Sequence, residues 1–175
     1  EVQAKLAEES GMEGFCYWHY YFKDGVEVLE TIFDEVVKSG KPDYPFCLGW
    51  ANHSWTTKTW TKSASKFDTE YIFKQEYLGK EDYTKHFYRL LPAFKDHRYI
   101  TVEGRSLFLI YDVMSIPDFD VFKETWNTLA KENDVPEFYF VAYASTLPVL
   151  NMKNIKDSAK LEEMLNKTVD EYLNI

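Results

Sequence analysis

Four short apolar runs, each followed by a polar stretch, recur along the chain and predict buried strands. Each run is made almost entirely of aromatic and aliphatic side chains and is too short for a buried helix. Runs of this kind are typical of parallel strands that are covered on both faces. They occupy residues 15–19, 46–50, 107–111 and 138–141, and we expect them to be adjacent in one sheet.

Segments with apolar residues at helical spacing lie between these runs and predict helices. Val26, Leu29 and Phe33 recur with this spacing, and Gly40 follows as a C-terminal cap. The predicted helices are the last turns of one that residues 10–11 stop, and those over residues 26–38, 83–94, 118–131 and 157–173. Residues 52–69 are predicted as a polar loop, 70–77 as a short strand, and 103–104 as the turn of a hairpin that leads into the third run.

The alternation of strands and helices predicts an α/β fold of parallel β/α repeats, in a single domain over residues 1–175. Two architectures have this order, a (β/α)8 TIM-like barrel and an open, doubly wound sheet. A full barrel takes about 250 residues, so this chain would form part of one. The open sheet would be complete at this length, but no strand–helix junction carries the glycine-rich turn of nucleotide sites. We therefore expect a partial (β/α)8 barrel.

Composition and charge narrow the class of protein. Hydrophobic residues make up 45% and charged residues 28% of the chain, as in folded globular proteins. The formal net charge of -9 repels phosphate backbones, so we expect no nucleic-acid partner. No apolar run is long enough to span a membrane, and residues 1–10 lack the pattern of a secretory signal. We expect a cytoplasmic protein whose own N-terminus lies upstream of Glu1, and the oligomeric state stays open.

Cys16 and Cys47 are the two cysteines of the sequence, and each lies inside an apolar run. A thiol in such a run packs as a small hydrophobe, so we expect both to be buried and reduced. No Cys-x-x-Cys motif or Cys/His cluster is present to hold a metal. We therefore expect neither a metal nor another cofactor.

Aromatic residues are abundant, with 13 Tyr, 13 Phe and 5 Trp, and many of them fall where strands end. Ligands of parallel β/α folds bind at the carboxyl ends of the strands. Rings beside hydrogen-bonding groups suit sugars, because sugar C–H faces stack on rings while hydroxyls need fixed donors and acceptors. The sequence therefore predicts a glycan-binding rim, formed by Tyr17, His19, Trp50, Asn52, His53, Trp55 and Asp112.

A purely structural role competes with binding at these positions. A histidine among tyrosines, such as His19, is more often a core side chain than a catalyst, and for His19 alone we favour the structural interpretation. The segment 52–54, Asn-His-Ser, directly follows a buried strand. Three polar side chains there must cap something or face a ligand, so for this segment we favour function.

The sequence supplies no convincing catalytic pair. Glycoside chemistry uses two carboxyl groups about 5 to 9 Å apart, one protonated and one ionised. Glu76 and Asp112 are the carboxylates nearest to predicted strand ends, but no local motif makes them such a pair. A Gly-x-Ser-x-Gly elbow for serine catalysis is also absent. The residues alone therefore identify no catalytic group.

Three ordered blocks of the sequence resemble the WbsX-like glycosyltransferase family of bacterial polysaccharide loci. The first block is Gly-Phe-Cys-Tyr-Trp-His-Tyr-Tyr-Phe at 14–22, and the second is Phe-Cys-Leu-Gly-Trp-Ala-Asn at 46–52. The third runs from Phe-Lys-Asp-His-Arg-Tyr-Ile at 94–100 to Leu-Phe-Leu-Ile-Tyr at 107–111. That family is similar to glycoside hydrolase family 99, which has a (β/α)8 barrel. The resemblance covers about residues 11–143.

The resemblance implies glycosyl transfer or glycoside hydrolysis in bacterial polysaccharide or lipopolysaccharide metabolism, on a glycan bound at the rim and without a metal. The family commonly reads Trp-Ala-Asn-Glu-x-Trp where this chain has His53 in the acidic place. Its Asn-Glu-Trp-x-Glu segment, which resembles the catalytic motif of the hydrolases, is absent from these 175 residues. We therefore expect this chain alone to be inactive. The alternative is a glycan-binding or scaffold module without catalysis.

Overall fold

The computed structural model describes residues 1–57 and 70–143, which form eight strands and four α-helices. The strands are β1 (Phe15–Lys23), β2 (Val26–Val28), β3 (Phe46–Trp50), β4 (Trp55–Thr56), β5 (Tyr71–Phe73), β6 (Thr101–Val102), β7 (Arg105–Ile110) and β8 (Phe138–Ala142). The helices are α1 (Val2–Glu9), α2 (Thr31–Ser39), α3 (Lys80–Phe94) and α4 (Phe119–Glu132), with a 3-10 turn at Val113–Ser115. The helix predicted at 157–173 and most of the loop predicted at 52–69 lie outside the described residues. Within these ranges, no helix combines the length and apolar character that a membrane crossing requires.

Strands β1, β3, β7 and β8 are parallel and lie side by side in chain order. β2 pairs antiparallel with β1, β6 forms a hairpin with the start of β7, and β4 pairs with β5 in a separate two-stranded sheet. Within residues 1–57 and 70–143, one helix lies between each pair of consecutive parallel strands, namely α2, α3 and α4. The predicted adjacency of the four apolar runs is confirmed.

This topology confirms the α/β class with a parallel sheet. An open, doubly wound sheet reverses its strand order, whereas the described parallel strands follow one another without a reversal. The described strands do not close into a barrel. The order of strands and helices is the part of the architecture that these residues establish.

The helix predicted over residues 26–38 is wrong in its first half. Asp24 and Gly25 have positive φ angles of 43° and 82° and form a tight turn, which sends the chain back beside β1 as β2. Asp-Gly is a strong hairpin signal, because both central residues of such a turn need positive φ. The valines after the turn therefore belong to a strand, and α2 begins only at Thr31.

One face of the parallel sheet packs against helices through an aromatic core centred on Trp126 of α4. The Trp126 ring lies 4.7 Å from the ring of Phe108 in β7 and 5.0 Å from that of Phe138 in β8. Its Nε1–H donates to the backbone carbonyl of Tyr83 in α3 at 3.0 Å. Burying a large apolar side chain contributes about 1.5 to 3 kcal/mol, so this layer is a main source of stability. We term this side of the sheet the helix-covered face.

The opposite side, termed the open face, carries exposed side chains. Among the described residues, no aromatic contact joins it to a helix. Cys16 and Trp18 of β1 are exposed there, Trp18 with 37% of its surface. The prediction that this run is covered on both faces is therefore wrong, although β3 is buried along its whole length. Both thiols are free as predicted, but only Cys47 is buried, whereas Cys16 is exposed.

Gly49 of β3 makes room for the Trp18 indole on the open face. A Cβ atom at this position would lie 2.8 Å from Cε3 of Trp18 and 3.1 Å from Sγ of Cys16. The first distance is shorter than any ordinary carbon contact, so the ring rests where a side chain would otherwise stand. A glycine inside a strand often marks such a close approach.

Arg98 joins the C-terminal half of α2 to the segment before β6. Its guanidinium donates to both carboxylate oxygens of Asp96, at 2.9 and 2.6 Å, and to the carbonyls of Pro42 and Val36, at 2.7 and 2.9 Å. The Arg98 side chain is only 3% exposed and that of Asp96 only 9%. The two charges are therefore paired with little help from water.

His19 of β1 and His86 of α3 form a buried pair on the helix-covered face. Their Nε2 atoms are 2.7 Å apart, and only one of these atoms can carry the shared hydrogen. Burial lowers the pKa of His19 to about 3 and holds the pKa of His86 well below its ordinary value. The His86 ring also stacks on Tyr21 with centroids 4.2 Å apart. Both imidazoles are therefore neutral at physiological pH.

We expect the free energy of unfolding to decrease as the pH falls below about 6.5. The folded state holds the pKa of His19 down, so between about pH 6.5 and pH 3 the unfolded chain binds more protons, and stability is lost by about 1 to 2 kcal/mol per pH unit. Urea unfolding at several pH values measures this slope. Replacing the exposed His97 by Asn should leave the slope intact, whereas a His19→Asn, His86→Asn double variant should lose most of it. An unchanged slope in the double variant would show that His19 and His86 do not cause the pH dependence of the free energy of unfolding.

We expect Arg98→Met to lower the free energy of unfolding by about 3 to 5 kcal/mol, because the Asp96 carboxylate would stay buried without its partner. Arg105→Met is the matched control, since Arg105 pairs with the exposed Glu103 at the surface. Such exposed pairs contribute about 0 to 1 kcal/mol. Denaturant unfolding of both variants measures the two decreases in the free energy of unfolding. Equal decreases would show that the buried Arg98–Asp96 pair stabilises the fold no more than the exposed pair does.

Candidate functional site

Asn52 directly follows β3 and holds the chain that leaves β7. Its Nδ2 donates to the carbonyl of Asp112 at 2.6 Å and to the hydroxyl of Tyr77 at 2.9 Å. Its Oδ1 accepts the Asp112 N–H at 2.8 Å. The side chain is 1% exposed, so its amide is used within the protein and acts as a clamp between two strand ends. The clamp fixes where the Asp112 backbone leaves the sheet.

His53 is placed by this clamp at the carboxyl end of the sheet. Its ring lies 5.0 Å from the ring of Tyr111 and 6.4 Å from that of Tyr20. Burial lowers the pKa of His53, and the nearby Asp112 carboxylate offsets part of that shift. Its Nδ1 is buried and has no hydrogen-bond partner among the described residues. His53 is therefore a neutral imidazole with unused hydrogen-bonding capacity.

Six rings form a continuous series along this edge of the open face, and we term them the aromatic ribbon. The ring of Trp55 meets that of Tyr20 at 5.0 Å. Tyr111 contacts His53, stacks on Tyr143 at 5.5 Å and meets Trp18 edge-on at 6.0 Å. The members come from β1, from the chain after β3, and from the ends of β7 and β8: Trp18, Tyr20, His53, Trp55, Tyr111 and Tyr143.

The structure divides the sequence-predicted site residues between the two faces of the sheet. His53 and Trp55 lie in the aromatic ribbon, with Asn52 and Asp112 beside it. Three others are on the helix-covered face, where the register aligns them with core residues: Tyr17, His19 and Trp50. Trp50 is 1% exposed, and its Nε1–H donates to the carbonyl of Tyr21 at 2.8 Å. The seven residues therefore do not form one surface.

Sequence reasoning missed Trp18, Tyr20, Tyr111 and Tyr143 as members of this site. In a strand, alternate side chains point to opposite faces, so choosing positions 17 and 19 leaves out 18 and 20. The residue types could not indicate which set faces a helix, because both sets are aromatic. Gly49 was the available signal, since a glycine within a buried strand predicts that a bulky group lies over it.

The carboxylates near the site are held in different ways. Glu76 pairs with Lys23 and with Lys74, and hydrogen bonds from these two ammonium groups lower the pKa of Glu76. It is therefore ionised at neutral pH and unsuited to donate a proton. Asp112 accepts a hydrogen bond from the Ser115 hydroxyl at 2.5 Å. Of these two, Asp112 is linked to the ribbon: its backbone N–H is bonded to Asn52, and its carboxylate offsets part of the lowering of the His53 pKa.

The arrangement can bind a flat, partly apolar ligand with many hydroxyl groups. Exposed rings offer stacking surfaces, while His53 and Asp112 offer hydrogen-bonding atoms beside them. Within residues 1–57 and 70–143, no group of three or more His, Cys, Asp or Glu side chains is arranged to hold a metal ion.

Comparisons with known proteins identify the family of this sequence. Residues 1–173 match the family described as glycosyltransferase WbsX. The chain is also similar to uncharacterized proteins named WxcX from two strains of Xanthomonas campestris pv. campestris, with 25% identity over 162 residues. The alignment covers 91% of this chain but 22% of each relative, so the chain spans about a fifth of their length. No solved structure is significantly similar.

The match extends over almost the entire chain and agrees with the three sequence blocks that first indicated the resemblance. Those blocks form β1, β3 and the segment from the end of α3 to β7. They include the Asn52 clamp, the Arg98 ion pair and half of the aromatic ribbon. The chain belongs to the WbsX glycosyltransferase family.

Proposed function

We propose that this chain binds a glycan on the aromatic ribbon and serves glycosyl transfer in bacterial polysaccharide synthesis. The observation that carries the proposal is the uninterrupted series of rings at the carboxyl ends of the parallel strands, on the face that no helix of the described residues covers. Trp18 and Tyr143 keep 37% and 54% of their surfaces exposed, which leaves ring faces free for a pyranose. Membership of the WbsX family supports a sugar substrate.

The second part of the proposal is that the described strands belong to a (β/α)8 barrel. Barrel strands follow one another in chain order with helices outside, and β1, β3, β7 and β8 have this order. Parallel sheets are normally covered on both faces, so the open face would be the barrel interior. Barrel enzymes bind substrates at the carboxyl ends of their strands, which is where the ribbon lies.

Within this proposal, His53 and Asp112 act on the acceptor or leaving-group oxygen. A neutral imidazole can accept the proton of an attacking hydroxyl, and burial keeps His53 neutral at physiological pH. The Asp112 carboxylate would stabilise the imidazolium that forms, since it already offsets the lowering of the His53 pKa. Transfer and hydrolysis differ in whether a sugar hydroxyl or water fills the acceptor position.

A glycan-binding module without catalysis is the second candidate function. Glu76 is neutralised by two lysines, which favours this alternative because it removes one of the two carboxylates near the site. The relatives are about four times as long as this chain, since 162 aligned residues make up 22% of each, and we propose that the remaining catalytic groups come from that additional length.

We expect Tyr143→Ala to weaken glycan binding by about 1 to 3 kcal/mol, or roughly 5- to 150-fold in Kd, because a stacking ring is lost. Calorimetry with α-mannan oligosaccharides and with a bacterial O-antigen polysaccharide measures the effect. Tyr88→Ala is the matched control: Tyr88 is 48% exposed and also has a ring neighbour, but it lies on α3. Equal glycan affinities of the two variants would show that Tyr143 does not stack on the glycan.

We expect no measurable hydrolysis or transfer by this chain on the same glycans. Each missing acid or base removes roughly 100- to 10,000-fold in rate, and these losses multiply. Release of reducing sugar and transfer to a labelled acceptor can be followed together. Turnover that is abolished by Asp112→Asn or Glu76→Gln would contradict this expectation and assign the chemistry to the described residues.

A further inference from the structure

Cys16 and Cys47 face each other across the parallel pair of strands β1 and β3. The register makes them direct Cα partners, and Cα atoms of neighbouring strands lie about 4.8 Å apart. This separation falls within the range of about 4.4 to 6.8 Å that disulfides require. Directly paired residues project to the same side of a sheet, and here that side is the open face.

The two thiols already interact. The proximity of Cys47 lowers the pKa of Cys16, and the proximity of Cys16 together with burial raises the pKa of Cys47. Cys16 is exposed, whereas Cys47 is buried. Cys16 is therefore accessible to a disulfide in solution and can react first. The shielded Cys47 lies directly beside it and can attack the mixed disulfide in a second step.

We propose that Cys16 and Cys47 form a reversible cross-strand disulfide by exchange with a low-molecular-weight disulfide such as oxidised glutathione. The Cys16 thiolate attacks one sulfur of oxidised glutathione, a Cys16–glutathione bond forms, and one glutathione thiolate leaves and takes up a proton. Cys47 then loses its proton to solvent and attacks Cys16 Sγ, which releases the second glutathione. Two protein thiols are oxidised, and one oxidised glutathione is reduced to two glutathione molecules.

The position of this pair connects it to the aromatic ribbon. Trp18 and Gly49 each follow one of the two cysteines by two residues and lie on the same face. The indole of Trp18 and the Cys16 sulfur both lie over Gly49, at 2.8 and 3.1 Å from its ideal Cβ position. Closing the disulfide moves the Cys16 sulfur toward Cys47, so the Trp18 indole is expected to report the reaction through its fluorescence.

The test treats the reduced chain with oxidised glutathione, traps remaining thiols with N-ethylmaleimide and maps the products by mass spectrometry. The wild-type chain should yield linked Cys16 and Cys47 peptides, and dithiothreitol should restore both thiols. Cys47→Ser should stop at glutathione on Cys16. Cys16→Ser should leave Cys47 reacting at least about tenfold more slowly than Cys16 does in the wild type, because Cys47 is buried.

Three results would overturn the proposal: free thiols in the treated wild type, a wild-type product that stops at glutathione on Cys16, or equally fast modification of Cys47 in Cys16→Ser. Urea unfolding of each variant identifies a folding defect, and Cys47→Ala serves as the second variant if Cys47→Ser does not fold. A Ser39→Cys variant carries an additional thiol at the exposed end of α2, and glutathione on that thiol confirms that the reagent is active.

Discussion

The packing of α3 and α4 against one side of the parallel sheet determines which strand residues form the core. Trp126 contacts rings from two strands, and its indole N–H is bonded to the backbone of α3. This contact selects alternate residues of each strand as core. The other alternate residues then have no helix neighbour in the described part of the chain, and they become the open face. The aromatic ribbon exists because the core takes only half of the aromatic side chains of these strands.

Much of the fold could be predicted from sequence because its signals are local. The apolar runs fixed the four parallel strands, and helical spacing together with Gly40 located the end of α2. The first half of the helix predicted at 26–38 failed because Val26 and Leu29 have the i, i+3 spacing of a helix, although Val26 begins β2. The positive φ values of Asp24, Gly25 and Leu29 exclude a continuous helix there, and the spacing of apolar residues does not reveal them.

The site was harder to predict because side-chain direction in a strand depends on tertiary contacts. Tyr17 and His19 differ from Trp18 and Tyr20 in register alone, and both sets are aromatic. His53 and Trp55 could be named from the sequence because they come after β3, at the carboxyl end of the sheet. The function of Asn52 as a clamp depends on Asp112, 60 residues further along the chain, and no local pattern contains that information.

Gly49 lets the Trp18 indole lie directly against the backbone of β3 on the open face. This close contact is possible because Gly49 has no side chain. A methyl group at this position would clash with the Trp18 indole and push it away from β3. The glycine thereby determines how far Trp18, a member of the aromatic ribbon, stands out from the sheet.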